Sequence, residues 1–216
     1  MTAPTDPRVQ TLGEEIANSV SHGLGLLAAI AVTPVLIVKA VQLGNTGLVV
    51  GSSLFGACLI LLYLASTLYH ALPRGKAKEV FQILEHAAIF LLIAGSYSPF
   101  TLGILPAVWG WSLFGTIWGL ALGGVVLKAV TREASPVLSS ILYLTMGWLI
   151  ALALGPLSQT MTGAGIAWLV AGGLAYTLGV PFFALDARLR YSHFIWHLFV
   201  LTGSGCHVAA VLGYGG

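Results

Sequence analysis

The chain has 216 residues, of which 57% are hydrophobic and only 7% are charged, and its mean hydropathy is +0.94. Soluble domains carry roughly 25% charged residues, so this composition excludes an ordinary soluble globular protein. The net charge of +2 indicates little about partners, and we expect no nucleic-acid partner. Three long blocks, residues 40–73, 86–127 and 134–185, contain no charged residue, and each exceeds the ~20 apolar residues that cross a bilayer as an α-helix.

The charge-free blocks and their turn residues predict an all-α membrane protein with seven transmembrane helices. Residues 1–13 lack the pattern of a cleavable signal peptide and are predicted to form a short cytoplasmic tail before a single domain over residues 14–216. A kink is expected near Pro99, and Pro136 suits a first helical position. The predicted helices cover residues 14–41, 48–72, 78–102, 107–130, 136–156, 163–185 and 191–212.

The distribution of lysine and arginine predicts the orientation of this bundle. Only Lys39 falls on one side of the predicted membrane, and the other eight basic residues fall on the opposite side. Cytoplasmic loops are the ones that carry an excess of Lys and Arg, so the N-terminus is predicted to be cytoplasmic and the C-terminus extracytoplasmic. The eight basic residues on the cytoplasmic side are Arg8, Arg74, Lys76, Lys78, Lys128, Arg132, Arg188 and Arg190.

A stripe of glycines runs along the fourth predicted helix. Gly115, Gly119 and Gly123 repeat every four residues, and such stripes allow two helix backbones to approach closely. We expect this stripe to pack against another helix of the same chain. The alternative is that it forms the interface of a homodimer.

Polar residues converge on the predicted cytoplasmic side of the membrane. His193 and His197 lie one helical turn apart at the start of the seventh helix, a spacing that lets two imidazoles reach one metal ion. Ser66 and His70 lie in the last turns of the second helix, and Glu85 lies near the start of the third. Ionisable residues inside a membrane are costly and by default indicate function.

These residues predict a zinc site. His70, His193 and His197 would supply three nitrogen ligands and leave a fourth position for water, as at catalytic zinc centres. Zinc makes a water acidic enough to react near neutral pH, and Glu85 would take its proton. Ser66 would donate a hydrogen bond to the water or to a developing oxyanion. Iron, nickel or copper also bind imidazole, and each histidine could instead be an ordinary hydrogen-bonded residue.

Other polar residues near this side have simpler interpretations. His22 and His86 could be hydrogen-bonded residues at the membrane interface, or could orient the metal ligands. His207 lies about ten residues beyond His197 and is too far along the helix to share the site. Among the other acidic residues, Glu14 and Glu15 are expected to interact favourably with a helix dipole. Asp186, with Arg188 and Arg190, is expected to form a solvated loop.

Four segments carry a family pattern: EIANSVSHG at residues 15–23, STLYH at 66–70, LEHAAIFLLIAGSY at 84–97 and SHFIWH at 192–197. Together they resemble the hemolysin III family, the bacterial branch of the progestin and adipoQ receptor proteins, over about residues 14–212. The resemblance implies seven transmembrane helices and a zinc ion near the cytoplasmic leaflet, bound by His70, His193 and His197. The family's serine falls on Ser66. The family usually has aspartate where this chain has Glu85, and the longer side chain could reach the water or contact the ion directly.

These features predict a multi-pass, zinc-binding protein of the bacterial inner membrane, with a membrane lipid as substrate or ligand. The first hypothesis is a zinc-dependent hydrolase of a lipid amide or a related bond; the resemblance adds that the wider superfamily includes alkaline ceramidases. The alternative is a non-enzymatic sensor or regulator of the membrane, or an ion pathway through the His and Glu cluster. The cytolytic activity that the family name implies ranks last, because the sequence offers no amphipathic pore-forming segment.

Overall fold

Helices account for nearly all of the described chain. The structure is a computed structural model that describes residues 8–131 and 136–214, and no strand occurs in these residues. A π-helical turn, Phe100–Ile104, follows α3, and a 3-10 segment, Leu149–Ala153, joins α5 to α6. The helices are α1 (Leu12–Gln42), α2 (Thr46–Ala71), α3 (Lys76–Pro99), α4 (Ala107–Thr131), α5 (Pro136–Trp148), α6 (Leu154–Thr160), α7 (Gly163–Ala184) and α8 (Ser192–Leu212).

Seven helical stretches in the described residues are long and apolar enough to cross a membrane. Six of them contain α1 to α4, α7 and α8, and the remaining one, Leu138–Thr160, joins α5, the 3-10 segment and α6. The prediction of an all-α bundle with seven spans is therefore confirmed, with boundaries shifted by only a few residues. The orientation of the termini relative to the two sides of the membrane stays a prediction.

Local sequence explains where these helices begin and change. The Thr11 side chain accepts a hydrogen bond from the backbone of Glu14, whose carboxylate in turn accepts one from the Thr11 backbone, so α1 starts with a capping box. Asn45 caps α2 by accepting a hydrogen bond from the Leu48 N–H at 2.8 Å. The α-helical pattern of α3 ends at Pro99 and continues as the π-helical turn, in agreement with the break that proline is expected to cause.

Helix packing brings four helix ends together at one end of the bundle. α2 packs between α1 and α3, and α8 packs between α7 and α1. Almost fully buried side chains such as Leu36, Phe55 and Leu59 fill the space between these helices. Because α2 ends where α1, α3 and α8 begin, the polar residues at these four termini become neighbours inside the bundle.

The glycine stripe on α4 does not pack within the chain. A Cβ built at Gly115, Gly119 or Gly123 would meet no other part of the structure within 4 Å, and all three positions are exposed. The prediction of intramolecular packing is therefore wrong, because α4 contacts α3 through its opposite side, where Gly124 lies against the Phe90 ring. A homodimer through the stripe stays a prediction.

Candidate metal centre

Three histidines and one glutamate form a buried cluster at the shared helix ends. Each of His70, Glu85, His193 and His197 offers one ligand atom, and these atoms all lie within 4.8 Å of one another. His70 comes from the end of α2, Glu85 from the third turn of α3, and the other two from the first two turns of α8. The structure thus brings together the three predicted metal ligands and the predicted carboxylate.

The start of α8 is fixed by hydrogen bonds from other helices. Tyr191, the residue before α8, has a left-handed backbone with φ of 56°, a conformation that costs a non-glycine residue roughly 1–2 kcal/mol. Its N–H donates to the Glu14 carboxylate at 2.8 Å, and the Ser192 hydroxyl donates to the Phe182 carbonyl at 2.7 Å. These contacts hold the turn in place and direct His193 and His197 into the bundle.

Each cluster imidazole has an oxygen partner for its Nδ1 atom. The His70 Nδ1 lies 2.7 Å from Glu15 Oε2, and the His193 Nδ1 lies 3.0 Å from Asp186 Oδ2. The His197 Nδ1 lies 3.2 Å from the carbonyl oxygen of Asn18. A proton on Nδ1 leaves the Nε2 lone pair free for a metal, and such oxygen partners fix the orientation of metal-binding histidines.

Each residue of the cluster has a buried polar atom that lacks a hydrogen-bond partner. The Nε2 atoms of His70, His193 and His197 are buried without a partner in the described structure, and so is Oε2 of Glu85. Buried polar groups are normally satisfied, because leaving one unpaired costs about 1–3 kcal/mol. Three inward imidazole nitrogens and a carboxylate suit zinc in both ligand type and number, so these residues fit the predicted ion.

The Glu85 carboxylate lies beside the histidines. Its Oε1 atom is 3.6 Å from Nε2 of His70 and 4.0 Å from Nε2 of His197. Two ligands of one tetrahedral zinc stand roughly 3.3 Å apart, given metal–ligand distances near 2.0–2.1 Å. Glu85 is therefore close enough either to contact an ion held by the histidines or to accept a hydrogen bond from a water beside it.

Ser66 faces the cluster but bonds to a fourth histidine. Its hydroxyl lies 2.6 Å from Nδ1 of His22, and the His22 ring stacks on His197 with ring centroids 3.4 Å apart. The Nε2 atom of His22 is also buried without a partner. Ser66 thus contacts the cluster through His22, and a direct hydrogen bond from Ser66 to a water or an oxyanion stays a prediction.

The two other histidines stand apart from the cluster. His86 lies edge-on to Phe183 with ring centroids 6.2 Å apart, and its carbonyl accepts a hydrogen bond from Tyr143. His207 lies farther along α8 and packs against Tyr176. Neither residue belongs to the metal-binding group found in the described residues, which agrees with the prediction that His207 is too distant.

Asp186 lies at the start of an exposed loop, as expected, but its half-buried carboxylate also contacts the site. Its carboxylate holds the His193 ring and accepts a hydrogen bond from Gln10 at 2.9 Å. Burial alone would raise the pKa of Asp186, but the hydrogen bonds from His193 and Gln10, together with the charge of Arg8, hold its pKa below the usual value. No periodic pattern in the sequence indicates this contact, because it depends on where the loop between α7 and α8 folds back.

Glu15 and Asn18 contact the predicted metal ligands, and their spacing in the sequence indicates that they face the site. Together with His22 they occupy positions i, i+3 and i+7 of α1, so all three lie on one helix face. Glu15 also bridges to the Lys78 ammonium at 2.9 Å. A carboxylate is favourable in the first turn of a helix, which is consistent with Glu15 at the start of α1. Its contact with His70 is indicated by the i, i+3, i+7 spacing that it shares with Asn18 and His22.

The segment before α1 is hydrogen-bonded to α1 and to the loop between α7 and α8. Arg8 forms two hydrogen bonds of 2.7 Å with the Glu14 carboxylate and one of 2.9 Å with the Leu189 carbonyl. The hydrogen bond and charge of Glu14 raise the pKa of Arg8. The Gln10 amide donates to Asp186 and accepts from Asn18 at 2.8 Å. Gln10 therefore links the residue that orients His193 to the residue that orients His197.

Replacing Gln10 with alanine is expected to weaken zinc binding by about tenfold, the lower end of the effect of losing groups that support metal ligands. The variant removes the link between Asp186 and Asn18 but no ligand. Competition with a zinc-binding dye measures the affinity. Gln42→Ala is the matched control, because Gln42 is exposed at the other end of α1. Equal zinc affinity of Gln10→Ala and the unaltered protein would show that this link does not support the site.

Known proteins with related sequences match nearly all of this chain. The family model described as haemolysin-III related matches residues 10–208. The chain is 42% identical to Hemolysin-3 of Bacillus cereus over 99% of this chain and 97% of the relative. It is 41% identical to a Hemolysin-3 homolog of Bacillus subtilis (strain 168), over 94% of this chain and 95% of the relative.

A more distant relative is found among animal proteins. The chain is 33% identical to the human monocyte to macrophage differentiation factor over 74% of this chain and 68% of that protein. No solved structure matches the chain. The matches to both Bacillus proteins and to the family model confirm the resemblance seen in the four sequence segments. The chain therefore belongs to the haemolysin-III related family of membrane proteins.

Proposed function

We propose that this protein is a zinc-dependent membrane hydrolase that cleaves an amide or related bond of a lipid. One observation carries the proposal: Glu85, His193 and His197 of the metal-binding cluster line an apolar cavity inside the bundle. A metal site that only stabilised the fold would need no adjoining cavity. A metal site that acts on a lipid needs space for an apolar chain next to the reacting bond.

The cavity lies mainly between α3, α5, α7 and α8, and most of its lining is apolar. Its volume is about 80 Å³, several times the roughly 10–15 Å³ that one water requires. It begins at the metal-binding residues and extends along α8 to Val200 and His207. The apolar residues in its wall include Leu62, Ile89, Leu92, Ile93, Val180, Phe183 and Trp196.

The residues of the cluster have separable roles in such a reaction. The three Nε2 atoms would hold the ion, and Glu15, Asp186 and Asn18 would keep the rings oriented through Nδ1. A bound zinc would supply a Lewis acid that polarises a carbonyl and acidifies water. Glu85 is the carboxylate placed to accept a proton from that water. With the predicted orientation, the reaction would occur at the depth of the cytoplasmic leaflet of the inner membrane.

The second candidate is a non-enzymatic regulator of the membrane with a closed metal site. The 3.6 Å separation between Glu85 Oε1 and His70 Nε2 favours it, because a carboxylate at that distance can occupy the fourth position of a zinc ion. A closed site would hold the helix ends together and respond to metal supply. We rank this candidate second because it leaves the adjoining cavity without a role.

Incubation of purified, zinc-loaded protein with ceramides and phospholipids tests the hydrolase. We expect mass spectrometry to detect a free fatty acid and the matching amine or alcohol from at least one lipid class. His70→Ala is the control, since it removes one predicted ligand and should abolish the product. Absence of product from every lipid class, with one zinc bound per chain, would reject the hydrolase and favour the regulator.

A further inference from the structure

A group of three hydroxyls lies inside the bundle, away from the metal cluster. The hydroxyl of Tyr63 donates to Ser204 Oγ at 2.8 Å, and the hydroxyl of Tyr176 also lies 2.8 Å from Ser204 Oγ. Three hydroxyls carry three hydrogens, and two hydrogen bonds use two of them. Tyr63 is the donor of one bond, so the remaining hydrogen belongs to Tyr176 or Ser204. No other partner for it occurs among the described residues.

His207 places a nitrogen without a partner beside this group. The residue is only 8% exposed, and its ring centroid lies 5.5 Å from that of Tyr176. The Nε2 side of the ring faces the backbone of α7 at Gly172, and the ring also interacts with the Leu169 backbone. The Nδ1 atom is buried and has no partner in the described structure. A neutral His207 with its proton on Nε2 presents Nδ1 as a hydrogen-bond acceptor.

Two glycines make room for these polar rings. A Cβ on Gly172 would collide with the His207 ring, and a Cβ on Gly203 would lie 2.8 Å from the Tyr176 ring. Gly172 belongs to α7 and Gly203 to α8, so each helix receives the ring of the other. The interface between α7 and α8 therefore accommodates a free donor and a free acceptor, although unsatisfied polar groups are costly at membrane depth.

Tyr176 and His207 line the same cavity as the metal cluster. His207 follows His197 by ten residues on α8, which corresponds to a separation of about 15 Å along the helix axis. An extended acyl chain spans this distance with roughly ten to twelve carbon atoms. A ligand that pairs with both must donate one hydrogen bond to the free Nδ1 of His207 and accept one from the free O–H of Tyr176 or Ser204. A hydroxyl group can do both.

We propose that Tyr176, Ser204 and His207 form a hydroxyl-binding subsite that selects a lipid whose acyl chain carries a hydroxyl group near its middle. The proposal rests on the proposed function, because it assumes that the acyl chain enters the cavity from the metal cluster. The ligand hydroxyl donates to Nδ1 of His207 and accepts the free hydrogen of the tyrosine and serine pair. A chain without the hydroxyl leaves both groups unsatisfied.

Competition for bound radiolabelled stearate in zinc-loaded protein tests the subsite, with stearate, 12-hydroxystearate and 2-hydroxystearate as competitors. We expect 12-hydroxystearate to compete about tenfold more strongly than stearate, as expected for two added hydrogen bonds after desolvation. The 2-hydroxy isomer is the positional control and should behave like stearate. His207→Leu and His207→Met should each remove most of the preference while retaining zinc and stearate binding, because each removes the acceptor nitrogen.

The outcomes separate the subsite from the hydrolase. Equal competition by stearate and 12-hydroxystearate overturns the subsite but does not affect the hydrolase proposal. It would mean that the free Nδ1 of His207 and the free hydroxyl bind only water. A preference that survives in both variants also overturns it. If labelled stearate does not bind at all and no lipid is hydrolysed, the proposed function fails and the subsite fails with it. If His207→Leu does not fold, His207→Met decides the result.

Discussion

Replacing both His193 and His197 with alanine is expected to reduce the zinc content of the purified protein from about one ion per chain to a background level. The change removes two of three imidazole ligands and leaves Glu85 and His70 buried without a counterpart. Loss of a ligand that binds only the folded state also lowers stability. We therefore expect the melting temperature to fall by roughly 10 °C, measured together with zinc by elemental analysis.

His207→Leu is the control for this pair of substitutions. It removes a buried histidine from the same helix, outside the metal-binding group, and should retain one zinc per chain. If the double variant keeps the zinc content and the melting temperature of the unaltered protein, the metal is not held by α8. The ligand assignment would then be wrong even if the fold is correct.

Replacing Glu85 with glutamine is expected to lower the rate of lipid hydrolysis by a factor of about 10²–10⁴ while zinc stays bound, the usual contribution of a general base. Glutamine keeps the size and shape of the side chain but cannot take a proton. The three histidines and their oxygen partners are unchanged, so the ion keeps its nitrogen ligands. Product formation and zinc content are measured on the same preparation.

Glu85→Asp is the matched comparison, because it retains the carboxylate on a side chain that is one methylene shorter. We expect it to keep zinc and measurable hydrolysis. If Glu85→Gln instead releases the zinc, Glu85 is a direct ligand that closes the site. That result would contradict the role of Glu85 as a base and would favour the regulator.

The elements that sequence predicts well here are those set by local composition. Charge-free blocks longer than a bilayer crossing define the seven spans, and the capping residues Thr11 and Asn45 explain two of the helix starts. The ligand set was also accessible, because His193 and His197 are adjacent on one helix face. His70 and Glu85 lie at the same predicted side of the membrane, and the family resemblance indicates that His70 belongs to the set.

The features that sequence could not predict depend on contacts between distant segments. The partner of Ser66 is His22, which lies 44 residues away, and the partner of Gln10 is Asp186, which lies 176 residues away. Neither contact follows from helical spacing, because each depends on how the ends of two different segments meet. The outward direction of the glycines on α4 likewise depends on which side of that helix α3 covers.

X-ray absorption at the zinc edge of the purified protein tests the central claim most directly, since it reports which atoms surround the metal. We expect one zinc per chain, with three imidazole nitrogens near 2.0–2.1 Å and an oxygen ligand at about the same distance. The His193→Ala, His197→Ala variant should lose this signal. A zinc-free protein, or a zinc surrounded by sulfur or by water alone, would contradict the assignment of His70, His193 and His197 as its ligands.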